Sequence, residues 1–171
     1  MKYIDDLTEV LQNLDTFVFK RLVREIRDCS GIIYTMGNGG SATTASHFTC
    51  DLNKFTNKTA ICLNDSISQM TAISNDRDYS LVFTEQLKKF KLDKNDIILT
   101  FTGSGMSENI ISALKYGEIK ETKRWAITGF KGGFVKSMAS SLIVNSDDMQ
   151  IIEDTHLVIS HMIMREIRES I

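Results

Sequence analysis

Two stretches of the chain set histidines beside carboxylates at helical spacing. In GNGGSATTASHFTCD, residues 37–51, a glycine-bearing turn is followed by His47 and Asp51, four residues apart, so on a helix both side chains leave one face. Near the other end, EDTHLVISH at 153–161 places Glu153, His156 and His161 ahead of the strongly apolar MIMREI. Such a helix is mostly buried, and buried histidines and carboxylates need partners. Three chemistries are open to these groups: ion pairing within the core, an acid/base pair, or a histidine/carboxylate metal site. His156 also reads as a hydrogen-bonded core residue and nothing more.

Two loops carry further polar text. Gly37-Asn38-Gly39-Gly40-Ser41 follows an apolar run and opens a helix. Its glycines allow positive φ and close approach, and Ser41 can cap the helix. The loop is neither GxGxxG nor GxxxxGK[ST], so it reads as a plain tight turn or as a cradle for a ligand. Thr102-Gly103-Ser104-Gly105-Met106-Ser107-Glu108-Asn109 has the same construction, with three hydroxyls within six residues. A phosphate dianion there would meet unpaired backbone N–H groups, the positive end of a helix dipole and the hydroxyls. With no lysine in the loop, a phosphomonoester fits better than a nucleotide triphosphate. The alternative is that Ser107 only caps its helix.

The elements that must position these groups are legible in the periodicity. Residues 3–28 carry apolar residues at helical spacing, with a break near Asn13–Asp15, as one long helix or a helical hairpin. Short β-rich apolar runs then recur at 31–37, 58–64, 96–103, 123–129 and 140–145. The helical segments between and after them are expected at 41–54, 66–74, 79–90, 107–118, 131–139 and 149–169. This alternation implies a five-stranded parallel sheet covered by helices on both faces, a three-layer α/β/α sandwich. Ligands of such sheets bind beyond the carboxyl ends of the strands, where both polar loops fall.

Composition narrows the function classes. The 171 residues suit a single domain spanning 1–171 with a sizeable core. A formal charge of −2, with lysines and arginines scattered, argues against nucleic acid as a partner. The cysteines Cys29, Cys50 and Cys62 lack CxxC spacing, which points to a reducing cytoplasm instead of a disulfide framework. The opening MKYIDDLTEVL is acidic where a signal peptide is basic, and no apolar run spans a bilayer; a cytoplasmic chain without a membrane anchor is expected.

Taken together these stretches resemble the sugar isomerase (SIS) domain family, and within it the phosphoheptose isomerases. The resemblance covers nearly the whole chain: the N-terminal helical segment, GNGGSA at 37–42 with His47 following, AISND at 72–76, the serine loop in place of the family's T-S-G-N-S-x-N, and the closing I-x-E-x-x-H. It implies a flavodoxin-like sheet, a homotetramer that uses the 1–29 segment in assembly, and active sites built from more than one subunit. It also implies conversion of a ketose phosphate to an aldose phosphate, most specifically sedoheptulose 7-phosphate to D-glycero-D-manno-heptose 7-phosphate for bacterial surface polysaccharide. Asn38, Gly39 and Ser41 match sugar-contacting positions. Thr102, Ser104 and Ser107 match the phosphate-binding hydroxyls, with Gly103 where the family has a threonine. Asp76 matches an acidic residue that contacts substrate. Asp51 falls at the catalytic glutamate and His161 at the catalytic histidine. The family's zinc ligands fall at His47, Asp51, Glu153 and His161, and no nucleotide cofactor is implied. Asp51 is one methylene shorter than the family's residue, which keeps a second reading in view: a non-catalytic sugar-phosphate binder or an adaptor that engages a protein partner.

Overall fold

The computed structural model describes residues 1–169. Two helices, α1 (Lys2–Gln12) and α2 (Thr16–Arg27), precede the sheet, so the N-terminal segment is the hairpin and not one long helix. Asp15 makes the break: its Oδ1 accepts the N–H groups of Phe17 and Val18, both at 3.0 Å, and starts α2 afresh.

The strands β1 (Ile32–Gly37), β2 (Thr59–Cys62), β3 (Ile97–Thr102), β4 (Lys123–Thr128) and β5 (Ser140–Ile143) form one sheet in the order β2-β1-β3-β4-β5. Every pairing is parallel. Alternation along each strand feeds two cores. Ile97, Leu99 and Phe101 of β3 pack with Phe48, Leu52, Ile152 and Ile159, while Ile98 packs on the other face with Phe83, Ile110 and Leu114. Hence α3 (Gly40–Phe55) and α7 (Met149–Glu169) lie on one face with α2, and α5 (Val82–Leu87) and α6 (Glu108–Ile119) on the other. The helix α4 (Ile67–Asp76) follows β2. Among the described residues no helix is long and apolar enough to cross a membrane.

Two expected helices differ. Residues 79–90 begin as a 3-10 turn at Tyr79–Leu81 before α5. Residues 131–139 form no α-helix but two 3-10 turns, Phe130–Gly132 and Val135–Ser137. The reason is backbone handedness: φ is positive at Phe130, Lys131, Gly132 and Gly133, at 44°, 59°, 95° and 50°, which no right-handed helix allows. A methyl at Gly133 would collide with the Ser104 carbonyl, so this turn is packed against the serine loop.

Candidate active site

The sheet reverses its order of connection at β1 and β3, the switch point where open α/β sheets take ligands. Three loops meet there. Asn38, just after β1, and Asn109, in the first turn of α6, exchange side-chain hydrogen bonds: Asn38 Nδ2 donates to Asn109 Oδ1 at 3.0 Å and Asn109 Nδ2 donates to Asn38 Oδ1 at 2.9 Å. From the segment after α4, the Tyr79 hydroxyl donates to Asn38 Oδ1 at 2.9 Å. Asp76, the exposed last residue of α4, lies three residues before Tyr79 and accepts from Asn75 Nδ2 at 2.9 Å. Behind the first loop, Asn64 clamps Gly37, accepting its N–H at 3.0 Å and donating to its carbonyl at 2.9 Å.

The serine loop is anchored through its carbonyls. Gly129 N–H donates to the Gly103 carbonyl at 2.9 Å, and the N–H groups of Phe134 and Val135 donate to the Gly105 carbonyl at 3.0 and 3.1 Å. Within the loop, Gly105 N–H donates to Thr102 Oγ1 at 3.3 Å and Met106 N–H to Ser104 Oγ at 3.2 Å. Ser107 precedes α6, yet its hydroxyl makes no capping bond; Ile110 N–H is taken by Asn109 Oδ1, so that hydroxyl and the amides of Glu108 and Asn109 stay available to an anion. A side chain at Gly103 would meet the Met149 thioether, the far end of a flexible and exposed side chain. Ser41 is not a cap either: α3 starts at Gly40 with Gly39 before it, and Ser41 is buried in the first turn.

The titratable cluster lies elsewhere, on the outward side of α3 and α7. The two helices run side by side in one direction. A side chain on Gly40 would strike the Glu153 carboxylate, and further along His47 Nε2 lies 3.0 Å from His161 Nε2. His47 Nε2 is also 3.5 Å from Asp51 Oδ2. His47, Asp51 and His161 each offer a ligand atom within 4.8 Å of the others, and together they can hold a metal ion. The spacing fits: two nitrogens bound tetrahedrally to one zinc at ~2.0–2.1 Å would stand about 3.3 Å apart. Glu153 is outside that group, two helical turns up α7, but lines the same cleft of about 450 Å³ with Gly40, Thr44, His47 and His161. A second cleft of about 550 Å³ adjoins it, sharing His161 and lined also by Asp51, Phe55, Arg165 and Arg168.

His156 is on the inner side of α7. It is fully buried against Phe101, ring centroids 5.9 Å apart, and neither ring nitrogen has a hydrogen-bond partner among the described residues. Burial pushes its pKa down to about 3, so it is a neutral core residue, though not the hydrogen-bonded one expected. Asn64, Asn109 and Tyr79 do not stand out in the sequence as site residues. The first two carry a signal, an asparagine at a strand end and at a helix start beside a serine loop; Tyr79 carries none.

The SIS domain family profile matches residues 2–129. The phosphoheptose isomerase of Helicobacter pylori is 36% identical over 148 residues, covering 83% of this chain and 77% of that protein. Among solved structures, a phosphoheptose isomerase from Francisella tularensis superposes with TM-score 0.89 at 29% identity, covering 98% of this chain and 93% of the other. One from Neisseria gonorrhoeae superposes with TM-score 0.90 at 26% identity, covering 99% and 94%. By sequence and by fold the chain belongs to the SIS domain family, and within it to the phosphoheptose isomerase type.

Proposed function

We propose that the chain isomerises sedoheptulose 7-phosphate to D-glycero-D-manno-heptose 7-phosphate, a step toward bacterial surface heptose. The observation that carries this reading is the gathering of Asp51, His47 and His161, with ligand atoms within 4.8 Å of one another, on the two helices whose N-terminal ends border the loops at the strand ends. The serine loop takes the phosphate through Thr102, Ser104, Ser107 and the α6 amides, while Asn38, Gly39, Ser41 and Asp76 contact the sugar. Asp51 removes a proton from C1 of the open ketose; the electron pair forms the C1–C2 double bond and the carbonyl oxygen at C2 takes up negative charge. His161 passes a proton to that oxygen and accepts one from the C1 hydroxyl. The carbon proton then returns at C2, leaving the aldehyde at C1. Zinc, held by His47, Asp51 and His161, would supply charge to polarise the carbonyl.

The active form we propose is a homotetramer with sites at subunit interfaces. The serine loop opens at the strand ends and the titratable cluster on the outward face of α3 and α7, an arrangement that suits completion by a second copy. The N-terminal segment supports assembly, since α1 buries none of its residues fully and leaves Tyr3 and Ile4 exposed. Three free cysteines agree with a reducing cytoplasm.

Incubating the purified chain with sedoheptulose 7-phosphate, with and without zinc, and following the products by NMR tests the function. Aldose heptose phosphate is expected; its absence from the zinc-loaded protein would overturn the reading. The short carboxylate of Asp51 favours a second reading, a sugar-phosphate sensor or adaptor without turnover. That reading gains if Asp51→Glu creates turnover that the unaltered chain lacks while sugar-phosphate affinity stays the same.

A further inference from the structure

Asn38 is held at both polar atoms. Its Oδ1 accepts two hydrogen bonds, from Asn109 Nδ2 and from the Tyr79 hydroxyl, and its Nδ2 gives one hydrogen to Asn109 Oδ1. The Asn109 amide is in turn fixed by Ile110 N–H, which donates to its Oδ1 at 3.0 Å. The two amides can turn over only together, and Ile110 N–H, which can only donate, fixes their sense; the Tyr79 hydroxyl then fills the second acceptor site of Asn38 Oδ1. With both acceptor sites of Oδ1 filled, Asn38 has a single unpartnered group among the described residues, the second N–H of Nδ2. Asn38 is half-buried at the switch point, whereas Tyr79 is half exposed and its ring belongs to neither core cluster.

We infer that Tyr79 is a positioning residue for the sugar. By holding Asn38 as a pure donor toward the ligand, it selects for an oxygen acceptor, a sugar hydroxyl or carbonyl, at that point. The same bond ties the segment that follows Asp76 to the first loop, so one phenol sets the spacing between two groups that would contact the sugar. This inference rests on the sugar-phosphate reading of the strand-end loops, but not on turnover.

The test is a double-mutant cycle of Tyr79→Phe and Asn38→Ala, read by equilibrium binding of sedoheptulose 7-phosphate and of inorganic phosphate, and by KM and kcat. Losing one anchoring hydrogen bond should weaken sugar-phosphate binding and raise KM by about threefold to tenfold. Affinity for inorganic phosphate and kcat should stay within about twofold. In the Asn38→Ala background Tyr79→Phe should add nothing, because its effect passes through Asn38. Unchanged sugar-phosphate binding in Tyr79→Phe, or a full additive loss in the double variant, would overturn the inference. Binding without turnover by the unaltered chain would remove the isomerase and leave the inference measurable by affinity. No binding by the unaltered chain would remove both.

Discussion

The loops at the strand ends and the histidine cluster between α3 and α7 are built on opposite plans. At the strand ends the polar groups are tied to one another: Asn38 to Asn109 and Tyr79, Gly37 to Asn64, and the Gly103 and Gly105 carbonyls to the turn at 129–135. Donors there are fixed before any ligand arrives, which suits binding and orientation. Between the helices, His47 and Asp51 meet only each other and His161 among the described residues, and the His47 side chain is 48% exposed. That region has the groups that move protons or hold a cation, without an enclosing wall. A rigid cradle beside an open reactive cluster implies that binding and turnover are separable by mutation.

His161→Gln probes that separation most strongly. It should lower kcat by roughly 10²- to 10⁴-fold, the usual worth of a positioned acid/base, with sugar-phosphate affinity within about threefold. A comparable loss of affinity in a binding titration would merge the two regions into one. The complementary change is Gly133→Ala, whose methyl would meet the Ser104 carbonyl at a residue with φ of 50°. Disturbing the brace behind the serine loop should weaken inorganic phosphate binding by about tenfold, the scale of one or two lost hydrogen bonds. Zinc uptake by the helix cluster, measured on the same sample, should not change.

The smallest effect on chemistry is expected from His156, which shares α7 with His161 but faces the core. Its pKa falls from an ordinary 6.5 to about 3 on folding because burial disfavours the charged ring. The folded chain therefore binds fewer protons than the unfolded one between those values. Stability from this residue is intact above about pH 6.5 and is lost as the pH falls through that window, by ~2 kcal/mol at pH 5. Urea midpoints measured at pH 7 and pH 5 should converge in His156→Leu relative to the unaltered chain, with no change in kcat at neutral pH.

Much of this arrangement is legible in the amino-acid sequence alone. The strands stand out because a sheet covered on both faces needs unbroken apolar runs such as IILTF at 97–101. Asp15 marks the hairpin through ordinary helix capping, and His47 with Asp51 share a face by spacing alone. The approach of His161 to that pair follows only from the family resemblance, since no local pattern joins α3 to α7. Residues 131–139 read as helix because Lys131 gives no sign of positive φ; in the fold Gly132 and Gly133 pack against Gly105 and Ser104. Tyr79 is hidden for a related reason, being an exposed aromatic whose role lies in a partner 41 positions away.

The role of Asp51 is tested most directly by isomerisation in heavy water. Zinc-loaded protein supplied with sedoheptulose 7-phosphate should place solvent deuterium at the carbons that exchange the proton, C1 of the ketose and C2 of the aldose. Asp51→Asn should bind the same sugar phosphate yet show neither deuterium nor aldose. Aldose formed by Asp51→Asn at the rate of the unaltered chain would contradict the account.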